Sequence, residues 1–256
     1  MAHSKLIAQL GADPRFASLK RSLDVYYGDT ERDIAMDALY GRFVTKSGLA
    51  FDIGSHVGDR VASFRRLGAR VVALEPQPLC FEVLTAIYCC DGAVTLANSA
   101  CGPRAGELTL HVNSRNPTVT TASSAFITAA DGAGGWEGQV WDREITVPVT
   151  TLDALIAKQG VPQFVKIDVE GFEADVLAGL TRALPALSFE FTTIQRDVAF
   201  RCIERLAGLG GYGFDIALGE SQQLSFDNWI SADAMRAHIE ALPHAANSGD
   251  VYAVLV

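Results

Sequence analysis

Apolar and polar positions follow two rhythms along this chain. Short apolar runs recur over 49–53, 71–74, 93–97, 163–168, 186–191, 212–218 and 251–256, each of strand length and each bounded by polar or turn-forming residues. Between them, apolar residues fall three and four apart, as on one face of a helix. Val57, Val61, Phe64 and Leu67 make such a face before Gly68 stops it, and Phe200, Ile203 and Leu206 make another within 197–209. Further helices are expected over 79–88, from 153 to about 158, from 173 to 180, and over 232–242. Strand and helix in alternation predict an α/β layer sandwich.

Two stretches depart from this rhythm. In 4–47, Leu6, Ile7 and Leu10 precede a break at 11–14, and Phe16, Leu19 and Leu23 then share a face. A turn is expected at 26–29, followed by a helix that Thr30 caps with Asp33 at its third position. Residues 1–47 thus read as a helical cover beside the turn at 54–58, with 48–256 as the main domain. Tyr26, Tyr27 and Asp29 are candidate lining residues, or an ordinary loop. The second departure is 113–142, polar and glycine-rich, with Trp136 and Trp141 and little periodicity. Alternating strands over 107–112 and 145–149 flank it, so 104–149 reads as a β-hairpin-like insertion with a long tip. Loops this long inside a compact domain are usually functional or mobile. The indoles either face a substrate or anchor the tip.

The candidate chemistry sits at the ends of the predicted strands. The first strand runs into Asp52-Ile-Gly54-Ser55-His56-Val-Gly58 and the second into Glu75-Pro76. Strand, glycine turn, helix and strand make a nucleotide-binding unit. A dinucleotide turn would need glycines at 56 and 59, where this chain has His56 and Asp59. A carboxylate at 52 repels phosphate but suits an ammonium group, and Glu75 can take both hydroxyls of a ribose. A cofactor with a ribose, an amino group and no phosphate fits, and S-adenosylmethionine is such a molecule. Asp52 as a turn cap and Glu75 as a solvated acid remain the plain alternatives. Ser55, His56, Gly58 and Pro76 flank the expected cofactor, and Ser99 and Ala100, at a third strand end, would lie against its adenine.

Asp168 and Glu170 stand two apart at the end of the fourth core strand. Neighbouring carboxylates tend to have separated pKa values, so one can act as a base; together they could hold a divalent cation instead. Asp168 otherwise orients the cofactor and Glu170 caps the helix that follows. His56, near a helix start, is a further candidate base. Glu190 ends a strand on the same edge.

Composition narrows the partners. Net charge is −9 with no basic run, which argues against a nucleic-acid or anionic-membrane surface. No run approaches the roughly 20 apolar residues of a membrane helix, and no signal peptide is evident. The five cysteines show no Cys-x-x-Cys and no zinc spacing, so no metal site is expected from them; reduced core thiols in a cytoplasmic protein are the simplest reading. A small-molecule or glycan substrate and a homodimer are the expected partners.

Four stretches resemble the FkbM family of S-adenosylmethionine-dependent methyltransferases: Phe-Asp52-Ile-Gly54-Ser-His-Val-Gly58, Ala-Leu-Glu75-Pro76-Gln-Pro78, Thr-Leu-Asp153-Ala-Leu and Lys166-Ile-Asp168-Val-Glu170-Gly171-Phe-Glu173. They occur in family order within roughly 49–190, and the last is the most specific. The resemblance implies a Rossmann-like class I methyltransferase fold: a seven-stranded, mostly parallel sheet with an antiparallel last strand and helices on both faces. It implies O-methylation of a hydroxyl on a sugar, lipid-linked glycan or natural product. Where His56 stands, family members often have asparagine. The rival functions are a NAD-dependent oxidoreductase and a non-catalytic module that only binds the cofactor.

Overall fold

The computed structural model describes residues 2–256. Ten strands are β1 (Leu49–Ile53), β2 (Arg70–Leu74), β3 (Val94–Ala97), β4 (Ala100–Cys101), β5 (Gly106–Val112), β6 (Arg143–Thr150), β7 (Phe164–Ile167), β8 (Ala186–Thr192), β9 (Tyr212–Leu218) and β10 (Ser248–Leu255). Ten α-helices are α1 (Ala2–Ala12), α2 (Lys20–Gly28), α3 (Thr30–Tyr40), α4 (Asp59–Arg66), α5 (Pro78–Tyr88), α6 (Ser124–Ala130), α7 (Leu152–Gln159), α8 (Glu173–Ala178), α9 (Arg196–Leu209) and α10 (Ala232–Ala241). Seven strands form one sheet in the order β3-β2-β1-β7-β8-β10-β9, and β10 runs antiparallel to both neighbours. The remaining three form a small sheet, β4-β6-β5, in which β5 and β6 pair as a hairpin. The Rossmann-like class I methyltransferase fold and the hairpin insertion are both present.

The large sheet is apolar on both faces, which is why its strands read as continuous apolar runs. Leu49, Phe51, Ile53, Val165, Ile167 and Phe189 turn to one face and meet α7, α8, α9 and α10. Ala50, Val71, Ala73, Phe164 and Tyr252 turn to the other and meet α3, α4 and α5. Helices α1 and α2, with the 3-10 helix Pro14–Leu19 between them, pack instead against the turn after β1 and against α5: Leu10, Phe16, Leu19 and Leu23 cluster with Val57, Cys80 and Val83.

Several local readings change. Residues 26–28 are not a turn but the last part of α2, which ends at Gly28. Asp29, not Thr30, caps α3; its carboxylate accepts from the backbone N–H groups of Glu31 and Arg32, each at 3.0 Å. Carboxamide and carboxylate oxygens reach these N–H groups from the cap position readily. The insertion tip is not structureless. It contains a 3-10 turn (Pro117–Val119) and helix α6, whose cap Ser123 accepts from the Phe126 N–H at 3.1 Å. Trp136 and Trp141 meet the buried Phe126 ring edge-on at 5.0 and 6.2 Å, and the Trp141 indole N–H donates to the Val119 carbonyl at 2.8 Å. Both indoles pack within the tip, and neither lines the cavity at the strand ends.

Candidate active site

At the carboxyl ends of β1, β2 and β7 the strands open into a cavity, the place where open parallel sheets bind ligands. Asp52, Gly54, His56, Glu75, Pro76, Ser99, Ala100, Asp168 and Glu170 all line it. The sequence also proposed Ser55 and Gly58, and these two do not. The Ser55 hydroxyl donates to the Asp52 carbonyl at 2.9 Å and closes the turn from inside. Gly58, at φ +89°, starts α4 under α5, where a Cβ would come within 2.6 Å of Leu84 and of the Tyr88 ring. Its glycine serves helix packing, not room for a ligand. Gly54, at φ +87°, is demanded by backbone contact, since a Cβ there would overlap the Asp168 carbonyl.

Asp52 is 1% exposed, and neither of its carboxylate oxygens has a hydrogen-bond partner among the described residues. Burial, with the Asp59 charge added, pushes its pKa up to about 7. Glu75 is buried too, but its oxygens are engaged. One accepts from the His56 N–H at 2.7 Å and the other from the Gln77 N–H at 2.8 Å, which fixes both turns. Burial nonetheless raises Glu75 to about 8. Each oxygen keeps a further lone pair for a ligand hydroxyl. A buried acid lacking a partner next to a second acid with spare acceptors suits a cofactor with an ammonium group and a ribose.

Asp168 is held by a group the sequence reading left out. The Lys166 ammonium, fully buried, donates to Asp168 Oδ2 at 2.9 Å and to Asp250 Oδ1, on β10, at 2.7 Å. Burial alone would raise Asp168, but the Lys166 charge and hydrogen bond outweigh it and hold its pKa low. Glu170 goes the other way. Its Oε2 is buried with no hydrogen-bond partner among the described residues, and burial plus the charges of Asp168 and Glu173 push its pKa well up. The two carboxylates are therefore split, as their spacing suggested. Glu190 joins them: the three carboxylates present oxygens within 4.8 Å of one another, a set able to hold a divalent cation. Glu170 does not cap α8. That turn is tied by Glu173, whose carboxylate accepts from the Val169 and Gly171 N–H groups at 3.0 and 3.3 Å.

His56 makes its ring contacts with hydroxyls, not with the carboxylates. Its Nε2 lies 3.2 Å from both the Ser22 hydroxyl on α2 and the Thr118 hydroxyl in the insertion tip, and burial lowers its pKa. Here the turn, the N-terminal helices and the tip meet. Tyr26 does line the cavity, as do Pro117, Thr118, Thr120 and Ala122 of the tip. Asp59, Arg60, Phe172 and Glu220 also line the wall, and none of the four was a candidate site residue from the sequence.

Sheet order, glycine turn and paired strand-end acids define an α/β methyltransferase. Residues 52–215 match the methyltransferase FkbM domain, and the chain belongs to that family. It is a methyltransferase, and S-adenosylmethionine is its cofactor, which sets aside the dinucleotide oxidoreductase. Hexuronic acid methyltransferase AglP of Haloferax volcanii is 26% identical over 159 residues, which cover 61% of this chain and 59% of that protein. The match thus spans well under two thirds of the relative's length. Precorrin-6y C5,15-methyltransferase of Geobacter metallireducens is a similar solved structure: TM-score 0.45, 14% identity, 88% of this chain and 87% of that one. An O-methyltransferase of Thermotoga maritima gives a TM-score of 0.41 at 9% identity, over 89% of this chain and 65% of that one. No helix among the described residues is long and apolar enough to cross a membrane.

Proposed function

We propose that this methyltransferase acts on oxygen, at a hydroxyl of a sugar, and that acidic sugars are the acceptor class. The observation that carries the reading is the split carboxylate pair, Asp168 and Glu170, in the same cavity as Asp52. An alcohol must lose its proton as the new bond forms, so its enzyme needs a base placed at the acceptor oxygen. Glu170, buried and raised, is the more basic of the two carboxylates and is the group assigned to take that proton. Asp168, kept ionised by Lys166, accepts a hydrogen bond from the same hydroxyl and orients it. This assigns the base to Glu170 rather than to Asp168, and sets His56 aside because its Nε2 links Ser22 to Thr118 and burial weakens the ring as a base. Asp52 would hold the cofactor's ammonium, Glu75 its ribose, and Pro76, Ser99 and Ala100 would flank its adenine. When bound, the cofactor supplies an electrophilic methyl group. The tip residues Pro117 and Thr118 help to exclude water from the cavity. The likeness to a hexuronic acid methyltransferase supports the sugar class.

The test is transfer of labelled methyl to uronic-acid glycosides and to matched neutral glycosides. Label in an alkali-stable ether is expected, with the uronic glycosides preferred. Label that alkali releases would be a methyl ester and would sink the hydroxyl assignment. Glu170→Gln should lower turnover about 100- to 10,000-fold, the range for loss of a general base. Binding of S-adenosylhomocysteine should stay within about twofold. Normal turnover in Glu170→Gln with loss in Asp168→Asn would return the base to Asp168.

A further inference from the structure

One corner of the cavity wall takes no part in this chemistry. Arg60, 8% exposed, lines it beside Asp52, Asp59 and Glu220. Behind it, Arg32 of α3 donates through Nη2 to Asp59 Oδ2 at 2.7 Å and to Glu220 Oε2 at 2.9 Å. Arg60 Nη1 donates to Asp59 Oδ2 at 2.5 Å. These are full charge-assisted bonds. The contact from Arg60 to Glu220 is looser: Nη2 lies 3.4 Å from each carboxylate oxygen, and the Glu220 side chain is 54% exposed.

Three guanidinium nitrogens remain buried with no hydrogen-bond acceptor among the described residues: Nε of Arg60, and Nε and Nη1 of Arg32, whose guanidinium lies over the Tyr26 ring. Buried charged donors left unpaired are costly and uncommon, so they mark the place of a missing acceptor. On the same wall, Asp52 has two buried oxygens that lack a donor. Unpaired donors and an unpaired carboxylate side by side match a ligand with a carboxylate and an ammonium on one carbon. The charges also allow it. Arg32 and Arg60 balance Asp59 and Glu220, and a ligand zwitterion leaves that balance unchanged.

We propose that Arg60, backed by Arg32, is a carboxylate subsite, and that it takes the α-carboxylate at the amino-acid end of S-adenosylmethionine while Asp52 faces the ammonium. Glu220 is a placeholder that gives up its loose contact when the ligand carboxylate arrives. The inference rests on the cofactor and is independent of the acceptor.

Titration calorimetry with two ligands tests it. S-adenosylhomocysteine carries the amino-acid end; 5′-methylthioadenosine keeps the adenosine and thioether and lacks that end. Arg60→Met should weaken S-adenosylhomocysteine about 10- to 100-fold, the scale of a lost hydrogen bond to a charged group, and leave methylthioadenosine within about twofold. Methylthioadenosine binding also reports that the variant is folded. Equal weakening of both ligands, or of neither, overturns the subsite. Should the methionine variant fail to fold, Arg60→Lys carries the test. Lysine keeps the charge but not the planar fork, so the same selective loss should appear, only smaller. Unchanged selectivity there overturns the proposal. Glu220→Gln should bind S-adenosylhomocysteine equally or more tightly, and weaker binding would make Glu220 part of the site and overturn its placeholder role. A wild-type chain that binds neither ligand would remove the cofactor assignment itself.

Discussion

A carboxyl that titrates near 7 changes state with whatever stands beside it. Asp52 is such a group, raised first by burial and then by the Asp59 charge. Its folded pKa lies above its unfolded one, so it disfavours the ligand-free fold increasingly as pH rises from about 4 to about 7. An ammonium ligand favours the ionised form. Affinity for S-adenosylhomocysteine should therefore rise with pH and level off above about 8, falling about tenfold from pH 8 to pH 6. At pH 6 binding should release a proton, seen as a dependence of the binding enthalpy on the buffer. Asp52→Asn should flatten the profile; a profile that stays steep would assign the proton to another group. Asp52, Glu75 and Asp168 were legible in the sequence because strand, turn and acid lie together. Lys166 was in plain view but its role was not, since its second partner, Asp250, is 84 residues away. Glu220 likewise meets Arg32 across 188 residues. Pairing over such spans is decided by sheet order, which spacing alone does not give.

Elements were legible where one large apolar residue follows another at a fixed interval. Strands β1, β7 and β9 fall within a residue or so of the runs that announced them. Helix α6 was hidden because its seven residues, Ser-Ala-Phe-Ile-Thr-Ala-Ala, are mostly small and only Phe126 is a large buried anchor. The tip it belongs to is tied at both ends of the site. Thr118 meets His56 and Ser22, and the Thr121 hydroxyl donates to the Glu170 carbonyl at 2.6 Å. Beyond α6, 131–138 is exposed over most of its length and carries four glycines. The tip is expected to close over the acceptor. Limited proteolysis should cut first within 131–138, and more slowly when S-adenosylhomocysteine and a sugar acceptor are both present. Cutting at the same rate in both states would make the tip a fixed wall.

At the scale of the molecule, the first 47 residues are two things joined. Helices α1 and α2 cover the turn after β1, while α3 is part of a sheet layer. Met36, Leu39 and Tyr40 are at most 4% exposed and pack with Val61, Phe64 and Phe164 against the sheet. The Tyr40 ring lies 4.9 Å from Phe64 and 5.5 Å from Phe164. The apolar pattern of α3 is weak, and its first large apolar residue, Ile34, is 65% exposed. That is why the whole region read as one cover. A fragment of 48–256 would lose both the cover and part of a core layer. Loss of one large buried side chain costs about 2–5 kcal/mol, and whole domains are stable by about 5–15 kcal/mol. Loss of three, with Phe64 and Phe164 left facing water, should exceed the margin. The fragment is expected to bind a hydrophobic dye, to lack a sharp thermal transition and to fail to bind S-adenosylhomocysteine. A shorter deletion that keeps α3 and removes only 1–28 should melt cooperatively, at a lower temperature, because the sheet layers remain complete. Its cofactor binding should weaken, since Tyr26 and the Ser22 contact to His56 go with α2. A cooperatively folded, ligand-binding 48–256 fragment would show that the sheet closes its own core without α3.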